Sequence, residues 1–359
     1  MPVLEVQNVS VSRGKFSLSK INFSVNMGET LIILGDNGSG KTTLLDAIAG
    51  FLKINSGRIM INGRNVANLS PSERGVGYVF QTLALFPHMN VTENILYGTH
   101  FHKFMDVKDR LNRITNLLEI NNILGRRINT LSGGEKQKVA LARTLILQPN
   151  VLLMDEPTAA LSPQEKLRVM DELKAVFKSL SQTVIFVTHN VSEAYRMGGR
   201  IAVMGGGKIL QIGNAGEIVY HPVSHDVASI FGEINKFTVM VEKCASGICS
   251  AELGCGKVFF LGNFDAGESV LLFIRPEDVL LKNTSVKTSA RNNFSGIVKN
   301  VSFAGPLVYV DIELAGEGNE QKFLVLISKQ SFEELAVEVG KSVFLSFKIT
   351  AIHPVKLSE

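Results

Sequence analysis

The chain has 359 residues, a length that predicts two or three domains and excludes a single small module. At 45% apolar and 19% charged residues it is neither disordered nor a polyelectrolyte. Lys plus Arg at 37 against Asp plus Glu at 33 leaves +4, spread along the chain without a basic tail, so no nucleic-acid partner is expected.

The opening MPVLEVQNVS lacks the charged and apolar regions of a signal peptide. Apolar runs such as 31–34 and 270–274 are far shorter than the roughly 18–20 residues a bilayer needs, so a cytoplasmic location is expected. Residues 30–34 read as a short buried strand ending at Gly35. Residues 41–52 carry helical spacing in Leu44, Leu45, Ile48 and Ala49. A mostly helical insert is expected over about 87–148, with 106–118 and 134–147 its clearest helices. The runs 151–154 and 183–188 are buried strands separated by a helix over 163–180, the alternation of a parallel α/β sheet.

After about Phe231 the pattern turns to short β runs punctuated by Gly, including 258–261, 270–274, 307–312 and 343–347. GESVLLF at 267–273 is echoed by GKSVFLS at 340–346, and FTVMV at 237 by FSGIV at 294, which predicts two copies of a small β-barrel. The expected division is 1–232 and 233–359. Cys244, Cys249 and Cys255 are an odd set with no CxxC pair and no nearby His, so ordinary thiols are expected, with neither a disulfide framework nor a zinc site.

Gly35-Asp36-Asn37-Gly38-Ser39-Gly40-Lys41-Thr42, followed by Thr43, fits GxxxxGK[ST] between a strand and a helix. There, glycines let backbone N–H groups close on phosphates and the helix N-terminus adds its dipole. Lys41 is then placed for the β- and γ-phosphates and the Thr42 hydroxyl for Mg2+. The run 151–154 ends in Asp155 and Glu156 at the carboxyl edge of a buried strand, where Asp155 suits the magnesium shell and Glu156 the attacking water. Leu131-Ser132-Gly133-Gly134-Glu135 opens a second helix with an anion-binding N-terminus.

Together with Gln81 before the insert and His189 in Val187-Thr188-His189, these motifs in this order resemble the ATP-binding cassette (ABC) ATPases over about residues 1–232. The resemblance implies an α/β P-loop NTPase, the ABC cassette with its helical insert, using ATP and Mg2+. It further implies that two copies pair head to tail, so that Ser132, Gly133 and Gly134 of one close on the γ-phosphate held by Lys41 of the other. Gln81 matches the family's lid residue, contacting magnesium or water, and His189 the residue that contacts the γ-phosphate. Three positions depart from the family pattern. Arg13, with Phe16 close by, stands where an aromatic usually stacks on adenine, and either side chain can do so; Ser162 and Asn190 stand where Asp is usual.

Residues 83–95 are similar to the importer surface that receives a coupling helix, which implies transmembrane permease subunits as partners, an external solute-binding protein indirectly, and peripheral placement at the cytoplasmic face of the membrane. Ile274-Arg275-Pro276-Glu277-Asp278-Val279 resembles the accessory β domain of importer ATPases for sugars, iron and sulfate. The stretch from Ser289 through Gly296, with Gly305-Pro306-Leu307-Val308, is similar to the molybdate-binding barrel, an OB-like or molbindin-like fold. The implied protein is the ATPase of a molybdate or tungstate importer. Its C-terminal domain is expected to bind the oxyanion at Ser289, Arg291 and Asn292 and to inhibit transport. The alternative is that these residues only begin a strand, the tail is a dimerisation module, and the importer carries iron, sulfate or a sugar.

Overall fold

The computed structural model describes residues 2–101, 104, 106–254, 256–284, 289–314 and 321–357. Its first strands are β1 (Pro2–Arg13), β2 (Phe16–Asn26), β3 (Thr30–Leu34), β4 (Ser56–Ile61) and β5 (Arg64–Asn65). There follow β6 (Val76–Val79), β7 (Val151–Asp155), β8 (Val184–Thr188), β9 (Arg200–Gly205) and β10 (Lys208–Asn214). By internal contacts the chain divides into two units, Met1–Ile218 and Val219–Glu359.

In the first unit a six-stranded sheet has the order β10-β9-β3-β8-β7-β6, parallel except for the edge strand β10. Its inner strands β7 and β8 are buried at every position, as near-continuous apolar runs covered on both faces must be. Because β3, β8 and β7 are adjacent and parallel, residues just past their carboxyl ends meet at one edge, and those ends carry the phosphate loop, His189 and the acidic pair. A second, antiparallel sheet, β2-β1-β4-β5, packs its alternating apolar residues (Leu4, Val6, Leu18, Ile21, Ile59) into the same core.

Helix α1 (Lys41–Ala49) starts where the phosphate loop ends. Its last carbonyls, at Ala47 and Ile48, accept from the buried guanidinium of Arg74 at 2.8 and 3.0 Å, a cation placed at the negative end of the dipole. The helical part follows as α2 (Val91–Leu96), α3 (Val107–Leu117) and α4 (Gly133–Leu145), after which α5 (Pro163–Leu180) and α6 (Val191–Met197) return to the sheet. Ser162 and Asn190, which stand where the family usually has Asp, accept from Glu165 N and Glu193 N as the N-caps of α5 and α6. Ser, Asn and Asp are near-equivalent caps, so the helix starts survive both departures.

Helices α7 (Ala215–Tyr220) and α8 (His225–Ile230) precede the β-rich part. Within the second unit the Arg275 guanidinium donates to the Ala228 carbonyl at 3.2 Å, so α8 is bound into it. The strands β11 (Asn235–Ala245), β12 (Ile248–Glu252), β13 (Lys257–Leu261), β14 (Ser269–Ile274) and β15 (Leu280–Lys282) form one half. The strands β16 (Asn292–Ala304), β17 (Leu307–Leu314), β18 (Lys322–Ser328), β19 (Ser342–Phe347) and β20 (Ile352–Lys356), with α9 (Lys329–Glu334), form the other. The sheets are β13-β12-β11-β14-β20 and β15-β19-β16-β17-β18, so each half gives its last strand to the other's sheet. Phe294 stacks on Phe347 at 5.7 Å and Phe323 packs tilted against it at 5.5 Å in the shared core; such aromatic pairs contribute about 0.5–1.5 kcal/mol each beyond area burial.

One expectation is corrected here. Cys244 and Cys249 face each other across the β11–β12 hairpin with Cα atoms 4.0 Å apart and are disulfide-bonded. Their spacing of five reads as unrelated thiols until a tight hairpin puts them opposite one another. Cys255 lies outside the described residues.

Candidate functional site

At the carboxyl edge of the parallel sheet is a cleft of about 700 Å3 lined by Arg13, Phe16, Asn37, Gly38, Gly40, Lys41, Thr42, Thr43, Gln81, Glu156, Ala159 and His189. All of these but Ala159 are singled out by the sequence, Phe16 as an alternative to Arg13, and they come from five separate segments. Gly35 and Ser39 sit in the loop behind them. A Cβ on Gly35 would lie 2.1 Å from the Met204 carbonyl oxygen, and Gly40, the α1 N-cap, has φ of 104°, so both positions need glycine. The Lys41 ammonium donates to the carbonyls of Gly35 and Asp36 at 2.8 and 2.9 Å. Burial lowers its pKa, against the pull of Glu156, Asp155 and Asp36.

The Thr42 hydroxyl donates to Asp155 at 3.2 Å, while Glu156 meets His189 Nδ1 at 3.1 Å. The Glu156 backbone is left-handed, with φ of 43°, and its N–H is held by the Val187 carbonyl at 3.1 Å. A non-glycine residue in that region costs on the order of 1–3 kcal/mol, sustained here by the β7–β8 pairing. The fit to a magnesium nucleotide rests on two observations. The Ser39 hydroxyl is buried with no partner among the described residues, and Thr42 with Asp155 forms an oxygen-only donor pair of the kind hard cations prefer.

Two residues in this network escape a sequence reading. Tyr78 in β6 places its hydroxyl 3.4 Å from both Asp46 and Asp155; burial, then those two carboxylates, push its pKa up. Glu193, buried in α6, accepts from Thr158 at 2.8 Å and Thr188 at 2.6 Å, tying the segment after Glu156 to the end of β8 beside His189. A strand tyrosine reads as core and a first-turn glutamate as a capping group, so only the fold reveals their roles.

Ser132, Gly133 and Gly134 do not line the cleft. Ser132 caps α4, accepting from Glu135 N at 3.2 Å while its own N–H donates to the Glu135 carboxylate at 2.7 Å. From the same helix Arg143 donates to the carbonyls of Ala84 and Leu83 at 2.7 and 2.8 Å, so the segment after Gln81 is tied to the helix that starts at Ser132. Arg13, partly held by Asp46 at 3.4 Å, and Phe16 both line the cleft, and the adenine-stacking choice between them stays open.

In the second unit Ser289 and Arg291 are exposed, but Asn292 is buried. Its side-chain amide accepts from Phe259 N at 2.7 Å and donates to Phe259 O at 2.9 Å. Asn235 does the same with Leu324 at 2.7 and 2.8 Å, so each half clamps the other through an equivalent asparagine. This commitment separates Asn292 from the exposed pair with which the sequence grouped it.

Burial holds the Asp155 carboxyl above its ordinary range, with the Thr42 hydrogen bond opposing and Glu156 and Asp46 adding to the rise. A raised carboxylate pKa means that the ionised form costs folding stability at neutral pH. The isosteric Asp155→Asn should therefore raise the melting temperature of the nucleotide-free protein by about 2–4 °C for each kcal/mol relieved. The gap should close as pH falls through the carboxylate range, and the extra stabilisation by Mg-ATP should shrink. Calorimetric melts across pH check it; an unchanged Mg-ATP stabilisation would remove Asp155 from the magnesium shell.

Comparison with known proteins finds family matches in both units. The family profile "ABC transporter" matches residues 18–159, and "TOBE domain" matches 288–354. The molybdate/tungstate import ATP-binding protein WtpC of Pyrococcus abyssi is 38% identical over 98% of this chain and 99% of its own. The spermidine/putrescine import ATP-binding protein PotA of Legionella pneumophila is 35% identical over 88% of each. Among solved structures, cbiO1 of Clostridium perfringens, described as part of the ABC transporter complex cbiONQ, matches 60% of this chain and 90% of its own, with a TM-score of 0.56 and 29% identity.

Proposed function

The chain belongs to the ABC transporter family as an ATPase coupled to transport, and on that premise we propose that it energises import of molybdate or tungstate. The observation that carries the substrate is the likeness to WtpC through both units, covering 98% of this chain. In this reading 1–232 is the nucleotide-binding part and 233–359 the regulatory part, except that the stretch from Val219, with α8, is bound into the regulatory unit. Backbone N–H groups of residues 38–42 and the Lys41 ammonium bind the phosphates, and Arg13 or Phe16 holds the base. Glu156, oriented by His189, takes the proton of the attacking water. Thr42, Asp155 and Gln81 would hold Mg2+, which neutralises charge on the phosphates when bound.

Ser132, Gly133 and Gly134 complete the site of a second copy, head to tail. The segment 83–95, braced by Arg143 and by the Asn94 amide at 2.8 Å from Phe86 N, docks the permease. Among the described residues no helix is long and apolar enough to cross a membrane, so placement at the cytoplasmic face is through that partner. The test is ATPase activity of the transporter reconstituted with its permease and its solute-binding protein. Stimulation should follow loading of the binding protein with molybdate or tungstate, and stimulation by sulfate or a polyamine instead would overturn the substrate.

We assign the regulatory oxyanion to the exposed pair Ser289 and Arg291, with Asn292 holding the strand that presents them. Short N–H and O–H donors and a guanidinium suit a tetrahedral dianion. In the full transporter, molybdate or tungstate on the ATPase side should lower hydrolysis. Arg291→Ala should weaken that inhibition about tenfold or more, because a hydrogen bond to a charged group contributes about 1.5–3 kcal/mol. Inhibition unaltered in that variant, or equal inhibition by sulfate, would refute the assignment.

A further inference from the structure

The second unit holds a histidine pair that the nucleotide chemistry does not use. We propose that His221 and His353 form a two-histidine chelate for a late first-row divalent ion, Zn2+ or Ni2+, clipping the segment after α7 to strand β20. The Nδ1 atoms of the two rings are 3.4 Å apart. Two nitrogens bound at about 2.0–2.1 Å to one tetrahedral ion stand about 3.4 Å from each other, so the spacing of the two donors already matches.

The tautomer is set as well. His353 Nε2 lies 3.1 Å from the Pro222 carbonyl oxygen, which can only accept, so Nε2 carries the proton and the lone pair faces His221 from Nδ1. A backbone carbonyl on the remote nitrogen is the usual support of a metal-bound imidazole. His221 is exposed; on binding, the proton shared between the two Nδ1 atoms is released to solvent and the ring turns its lone pair to the ion.

Both rings line a cavity of about 310 Å3 that also holds Arg275, Asp278 and Lys348. Among the described residues no set of three His, Cys, Asp or Glu side chains converges, so the remaining coordination positions belong to water, for which the cavity has room. An imidazole-only donor pair favours zinc, nickel and copper over magnesium, so the millimolar Mg2+ of the nucleotide site does not compete.

The test is calorimetric titration of the full, tag-free chain with NiCl2 and ZnCl2 in millimolar Mg2+. One equivalent should bind saturably. His221→Ala and His353→Gln should each weaken it by at least the roughly 10–100-fold that loss of a mere outer-shell partner costs, the latter keeping a donor for the Pro222 carbonyl, while the control His225→Ala leaves it unchanged. Cu2+ bound in place of nickel should show hyperfine coupling to two imidazole nitrogens, reduced to one in His221→Ala. Metal-free melts establish that the variants fold. Absence of binding to the unaltered chain, or unchanged affinity in His221→Ala, would overturn the proposal.

Discussion

Glu156→Gln is expected to bind ATP with near-unaltered affinity and to hydrolyse it about 10²–10⁴ times more slowly, the usual contribution of a positioned general base. The geometry makes the effect specific. Glu156 lines the cleft with Lys41 and Thr42, acts on Lys41 through its charge, and places its carboxylate 3.1 Å from His189 Nδ1. An amide keeps the volume, the left-handed backbone and a contact to His189, and loses only proton affinity. The phosphate-binding groups remain, so the ATP-bound dimer should accumulate and be visible by size-exclusion chromatography. Equilibrium binding of a fluorescent ATP analogue and single-turnover hydrolysis separate affinity from chemistry. Turnover within about twofold of the unaltered protein at saturating Mg2+ would mean that another group activates the water.

The site was largely legible in the sequence because its chemistry uses rare residue orders at the ends of strongly apolar strands. GDNGSGKT after 30–34, and Asp155-Glu156 after 151–154, fix which strand ends must converge even before strand order is known. The antiparallel sheet of β1, β2 and β4 leaves no such mark in the sequence. Its bulges at Val6/Val9, Val9/Val11 and Gln7/Ser10 break the alternation on which strand recognition depends. In the second unit the duplicated phrases were visible, but the exchange of β15 and β20 between sheets was not, since pairing of distant segments leaves no local pattern. Asn292 is the instructive residue. Its setting, Asn292-Asn293-Phe294, repeats Asn235-Lys236-Phe237, and the repetition of Asn-x-Phe at the start of each half marks a structural clamp. A ligand residue needs no twin in a half that lacks the rest of the site.

A mixture of Ser132→Ala and Lys41→Ala chains should recover activity that neither variant has alone. The structure gives the reason: Ser132, Gly133 and Gly134 lie outside the lining of the cleft that holds Lys41, although their helix presents its N-terminus as an anion site. If the signature acts across a head-to-tail pair, the heterodimer contains one site with both defects and one with neither. If it acts within its own chain, each site carries one defect and nothing is recovered. Trapped nucleotide is the better readout, because one complete site can occlude ATP even where turnover requires both. Heterodimers isolated on two affinity tags should hold about one occluded nucleotide and the homodimers none, against about two in the unaltered dimer, as site counting requires. Ser132→Ala also removes a helix cap contributing about 1 kcal/mol, so its melting temperature must be measured beside its activity. A folded heterodimer that occludes no more than the homodimers would place the signature outside the composite site.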